Sequence, residues 1–189
     1  AQSKIFLNSI TDEHKTPLKK QESTSPKLNE DTSSWVPIDI YSCYHKNKFV
    51  QLAWKYLWQR KLFNIEFVID EPFYFATEGK YKNRIIIPFK KPDGTIFYFQ
   101  ARALFNDLPK YLNPSSDQVR SSAILYPFKN EDYVMVCEGP LDALSLQLAG
   151  INATATIGSS ISKIQLETIK DKGCTIIIAY DNDSAGTLG

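Results

Sequence analysis

Long apolar runs are missing from this 189-residue chain, and no window approaches the roughly 20 consecutive apolar residues that cross a bilayer as a helix. The N-terminus is too polar for a secretory signal. Cysteine is sparse. Cys43, Cys137 and Cys174 lie far apart, and the last two sit in apolar, strand-like runs that suit small buried thiols. A reducing compartment fits this usage, so the expected protein is soluble and cytoplasmic, with no membrane partner. Cys43 and His45 are neighbours, but no second Cys pair or suitably spaced His completes a structural zinc set. Neither GxxxxGK[ST] nor GxGxxG occurs, which leaves an ATPase or dinucleotide fold without motif support. A formal net charge of only +1 gives no global reason to expect a polyanion.

What is present is unevenly distributed. Residues 1–34 include KTPLKKQESTSPKLNEDTSS, too poor in large apolar side chains to offset ordering entropy, and read as a flexible linker. Residues 35–66 read as a helical segment: KFVQLAWKYLWQRKL at 48–62 places Phe49, Leu52, Ala53, Tyr56 and Leu57 at helical spacing, with Lys48, Lys55 and Arg60 toward the other side. Trp54 and Trp58, four apart, read as core or subdomain contacts. Residues 67–130 form a mixed α+β subdomain with strands at 73–77, 83–89 and 96–101, the last two joined as a hairpin by the turn KKPDGT. It is basic: Lys80, Lys82, Arg84, Lys90, Lys91, Arg102 and Lys110 outnumber Asp93 and Asp107. Arg84 and Arg102 flank the hairpin and can hold phosphates through bidentate contacts; Lys110 adds a point charge, and Tyr111 and Asn113 are placed to position a nucleotide. The stretch SSAILYPF at 121–128 then leads on as a short strand or extended connector.

From residue 131 the pattern changes to strand 132–137, helix 140–149, strand 152–156, helix 162–171 and strand 174–180. That alternation is the sequence form of an α/β parallel sheet with helices on both faces. Two of its strands end abruptly in carboxylates: YVMVC in Glu138, and TIIIAY in Asp181 and Asp183. Carboxylates with retained waters suit Mg²⁺, with Mn²⁺ as the alternative, and such ions polarise a phosphoryl group and lower the pKa of an attacking hydroxyl. Glu138 then either shares an ion or accepts the hydroxyl proton. Asp142, one helical turn further on, favours the positive end of its helix and is a further candidate ligand.

EGPLD at 138–142 and DNDSAG at 181–186 resemble the two signatures of the Toprim fold, shared by bacterial-type primases, type IA and II topoisomerases and certain nucleases. The resemblance implies general acid/base work for Glu138 and Mg²⁺ binding by Asp181 and Asp183. Upstream, RIIIPF, DGTIFYFQARAL, PKYLNP and ILYPF are similar to the basic subdomain of DnaG-like primase cores, phage-encoded relatives especially. By that likeness Arg84, Arg102 and Lys110 line the template and nucleotide side. Two positions depart from the pattern: Ala101 stands where a glycine precedes the arginine, and Ser121 or Ser122 where a lysine is frequent. The implied protein is an RNA polymerase core fragment without the zinc-binding module, its Toprim domain at 131–189 incomplete at the C-terminal end. It would synthesise short RNA primers on single-stranded DNA from ribonucleoside triphosphates, beside a fused or separate replicative helicase. A Toprim nuclease using the same metals, or a non-catalytic nucleic-acid-binding or replisome-docking fragment, are the alternative readings.

Overall fold

A computed structural model describes residues 30–63, 73–115 and 120–181. The expected linker falls mostly outside these residues, as does Asp183. Two sheets form the scaffold. The first is antiparallel, in the order β1 (Trp35–Ile38), β2 (Phe73–Ala76), β3 (Arg84–Lys90), β4 (Ile96–Ala103) and β5 (Tyr111–Leu112). The second is parallel, with β6 (Tyr133–Cys137) central between β7 (Ala153–Ala155) and β8 (Thr175–Ile178). Helix α1 (Lys48–Gln59) belongs to the first half, and α2 (Pro140–Leu148) and α3 (Lys163–Asp171) to the second.

The segment expected to be helical from residue 35 opens instead with β1, which pairs antiparallel with β2 from Trp35↔Ala76 to Ile38↔Phe73. Pro37 is exposed on this edge strand, where its missing N–H deprives no neighbour of a bond. Strand β3 is buried along six of its seven residues, as expected of a central strand. Its Pro88 lies beyond Ile86, where the described pairing with β2 ends.

Helix α1 starts at an Asn47 cap, whose side chain accepts from the Phe49 N–H at 2.9 Å, and closes at Lys61 in the left-handed region (φ 56°). There the Leu62 N–H bonds back to the Leu57 carbonyl, a Schellman-type ending that seals buried Leu62 against the helix. The helix stops at Gln59, short of the predicted Leu62, and its inner face also differs. Val50, Ala53 and Leu57 are fully buried, whereas Phe49 and Leu52 are 47% and 43% exposed. The sequence offers two overlapping apolar stripes, and packing selects the one through Val50.

The β-α alternation after residue 131 matches expectation to within two residues at each boundary. Leu141, Ala143 and Leu144 of α2 pack on one face of the parallel sheet with Cys137, Ala153 and Ala155, while Ile169 of α3 packs on the other with Val134 and Val136. The first of these clusters is continuous with Val50, Leu57, Phe89 and Tyr98, so the boundary drawn near residue 130 is not a break in the core. Tyr126 joins the halves. Its ring meets Phe89 edge-on at 4.9 Å, its N–H donates to Ala155 O at 3.0 Å, and its carbonyl accepts from Thr154 at 2.6 Å. The 121–128 stretch therefore opens in a 3-10 turn at Ser121–Ala123 and continues as an extended connector bonded to β7 through Tyr126. Gln165, 1% exposed, fastens it again, donating to the Ile124 and Thr156 carbonyls while closing a capping box with Ser162. No helix among the described residues is long and apolar enough to cross a membrane.

Candidate active site at the acidic strand ends

Parallel pairing delivers the acids to one edge. The β6–β8 register matches Val136 with Ile178 and is extended by the Ala179 N–H on the Val136 carbonyl at 2.9 Å. Glu138 therefore lies level with Tyr180, and Asp181 one residue beyond. One carboxylate oxygen of Glu138, Oε1, is buried with no hydrogen-bond partner. A buried acceptor without a donor is costly unless a cation or a ligand hydroxyl completes it, and this oxygen fits either. Asp181 is exposed. Burial pushes the Cys137 thiol up to about 11, helped by the charges of Asp142 and Asp181. Tyr180 is also raised, by burial first and by Glu138 in part, against the opposing bond to Thr156. Both shifts are set by burial first, and in each a neighbouring carboxylate adds to it. Among the described residues no three His, Cys, Asp or Glu side chains gather into a metal-sized group.

Asp142 sits in the first turn of α2, as its helix-end role requires, and is also paired. Arg60 Nη2 donates to its Oδ1 at 3.2 Å. A Cβ built on Gly139 would stand 3.0 Å from Asp142 Oδ2, so the glycine leaves room for this carboxylate to fold back toward the strand end.

Arg60 opens a relay toward the basic sheet. Its Nη1 donates to Tyr56 Oη at 3.0 Å. The Tyr56 ring faces the Arg102 guanidinium at 5.1 Å, and Tyr111 faces the same guanidinium at 5.1 Å. Arg102 Nη1 donates to the Tyr111 hydroxyl, while its Nε is buried without a partner. Burial raises the Tyr111 pKa, opposed by Arg102. A planar guanidinium held between two aromatic rings is pre-oriented. Lys110 is exposed, its Nζ 5.9 Å from the Tyr111 ring.

The structure thus brings Arg102, Tyr111 and Lys110 together, and places Arg84 and Asn113 differently. Arg84 is 4% exposed and turns inward, Nη1 donating to the Pro109 carbonyl at 2.8 Å and the Ala101 carbonyl at 3.4 Å. Instead of meeting solvent, it holds the chain between β4 and β5. Asn113 lies beside Tyr81, whose hydroxyl donates to its carbonyl at 3.4 Å, and its side-chain Oδ1 is buried without a partner. Tyr56 and Arg60 were not expected in the site: the helical pattern reads one as core and the other as solvent-facing. The available signal was their i,i+4 spacing at the end of α1.

Residues 135–188 match the Toprim-like family model. The chain superposes on the DnaG primase catalytic domain bound to ssDNA with a TM-score of 0.61 at 24% identity, covering 77% of this chain and 58% of that one. On the RNA polymerase domain of Mycobacterium tuberculosis primase DnaG the TM-score is 0.63 at 19% identity, covering 78% and 63%. The fold is that of a DnaG-type primase core. In sequence, the chain is 34% identical to the DNA primase of Halalkalibacterium halodurans over 116 residues, 57% of this chain and 19% of that protein. It spans about a fifth of the length of the curated relatives it matches.

Proposed function

We propose that this chain carries the catalytic centre of a DNA primase, which joins ribonucleotides into short RNA primers on single-stranded DNA. The observation that carries the reading is the buried, unpartnered oxygen of Glu138 at the end of β6, four residues before Asp142, from which the Arg60–Tyr56–Arg102–Tyr111 relay runs to the basic sheet. Likeness to DNA primases in sequence and fold supports it.

In this reading the template lies along the basic sheet, where caged Arg102 and exposed Lys110 meet phosphates, and Tyr111 orients a nucleotide. Glu138, Asp181 and Asp183 would hold Mg²⁺ or Mn²⁺, with Asp142 released from Arg60 as a further ligand. When bound, the ion neutralises charge on the triphosphate and acidifies the attacking hydroxyl. Glu138 takes the proton of the 3'-hydroxyl, the freed oxygen bonds to the α-phosphorus of the second nucleotide, and pyrophosphate leaves. The protein supplies placement and a fixed electrostatic environment. Residues 131–189 act as the Toprim domain and residues 67–130, with β1 and α1, as the template platform. The setting is a cytoplasmic replication complex with a fused or separate replicative helicase.

The test incubates the chain with single-stranded DNA, ribonucleotides and Mg²⁺. Short RNA that disappears with Glu138→Gln and Asp181→Asn is expected. Template cleavage without RNA would replace the reading with a nuclease, and binding without either product with a docking fragment.

A further inference from the structure

The opposite edge of the parallel sheet carries a second feature that primer synthesis does not use. Where β7 begins, a cavity of about 530 Å³ opens between the β3–β4 hairpin tip, the connector and the end of α2. Such a volume suits one small ligand. Lys90, Lys91, Lys129 and Lys172 border it against a single carboxylate, Glu131, so the charge favours an anion. Phe97 and Phe128 also line it, and the Lys172 ammonium lies 4.3 Å from the Phe128 ring centroid.

The wall is built rather than incidental. Asn152, 5% exposed, accepts from the Lys129 N–H at 3.0 Å and donates to the Lys129 and Tyr133 carbonyls at 3.1 and 2.7 Å. Gln147 donates to the Pro127 and Ala153 carbonyls, both at 2.7 Å. The segment carrying Phe128 and Lys129 is therefore fastened on both sides before any ligand arrives, which lowers the cost of binding. The same bonds engage both amide nitrogens and the Asn152 oxygen, so neither amide has a donor left to read the edge of a base. Ammonium groups that hold phosphates and aromatic walls that receive a planar ring together describe a nucleotide.

We propose that this cavity is a second nucleotide site, taking a free nucleoside polyphosphate by charge and ring contact with little discrimination among bases. It is separate from the acidic edge, yet one helix borders both. Gln147 lines the cavity, and Asp142, five residues earlier or about 7.5 Å along the axis, holds Arg60.

Equilibrium dialysis of radiolabelled ATP against the chain in EDTA tests this, because chelation suppresses metal-dependent binding at the acids. Saturable binding is expected to survive Glu138→Gln/Asp181→Asn within about twofold and to weaken about tenfold or more in Lys129→Glu/Lys172→Glu. Arginine at both lysine positions should restore it, and GTP and CTP should compete within about threefold of ATP. Phe128→Leu, which leaves every lysine in place, provides a second arm should the charge reversal fail to fold, and is expected to weaken ATP more than tripolyphosphate. The proposal is overturned by no saturable binding up to about 1 mM, by loss in the acid variant with retention in the lysine variant, by tripolyphosphate competing as well as ATP, or by a short DNA oligonucleotide competing better than ATP.

Discussion

Glu138 keeps a buried oxygen without a donor, so removing its charge should not weaken the fold. Glu138→Gln is expected to retain the wild-type melting temperature or exceed it while losing about 100-fold or more in primer synthesis, checked by thermal denaturation beside a primer assay. Arg84 should behave in the opposite way. Its guanidinium satisfies two carbonyls inside the protein, so Arg84→Met should cost about 2 kcal/mol by urea denaturation, whereas Lys110→Ala, at an exposed position, should leave the midpoint in place and weaken template binding. Cys137 supplies a pH test. Burial lifts its thiol from the ordinary 9.0 to about 11, so as pH rises the unfolded chain ionises first and the native state loses stability between those values. Below pH 9 this contribution is fully retained. Denaturation midpoints measured across the interval should fall less steeply for Cys137→Ala than for the wild type.

At the scale of elements, α1 is the part whose role the sequence hides most. Apolar spacing announces the helix, but two stripes compete along it, and only packing shows that Val50 points inward while Phe49 and Leu52 do not. The Arg60–Asp142 bond joins residues 82 positions apart, a separation no local pattern spans. By contrast, α2, α3 and their strands are legible because each apolar run is closed by a local signal: Pro140 opening α2, the Ser162–Gln165 box opening α3. The acids at the strand ends follow from that alternation, but the aromatic cage around Arg102 does not, since Tyr56 comes from another element. Because the Arg60–Asp142 pair is substantially exposed, Arg60→Gln should cost less than about 1 kcal/mol in stability. Its expected effect is on activity, through Asp142 and Tyr56, and steady-state primer synthesis beside a melting curve separates the two. Arg102→Lys keeps the charge but loses the stacked plane, and should reduce template affinity about tenfold in a fluorescence anisotropy titration.

Across the whole molecule, the shared core makes the halves interdependent. Cys137 and α2 belong to the same buried cluster as α1 and β3, which a boundary drawn from the change in periodicity at residue 131 divides. Tyr126 is the hinge of that cluster, so Tyr126→Ala should cost about 3 kcal/mol or more and lower one common transition instead of releasing one half early. Comparing far-UV circular dichroism with Cys137 reactivity along a urea gradient checks this. The edge strand β1 shows why the remaining architecture escapes a sequence reading: four residues, one of them Pro37, carry too little pattern to announce a strand, and only β2 opposite them defines it.

All three tryptophans lie in the first third of the chain, and Trp54 and Trp58 stack at 5.1 Å with their planes 18° apart. Trp58, 53% exposed, sits two residues before Arg60. The end of α1 therefore carries a tryptophan label beside the relay, whereas no tryptophan lines the lysine cavity. A polyanion engaging Arg60 or Arg102 should change the emission colour, while a nucleotide in the far cavity should leave it dark to the spectrometer, so a single cuvette can tell which end of the parallel sheet a ligand has chosen.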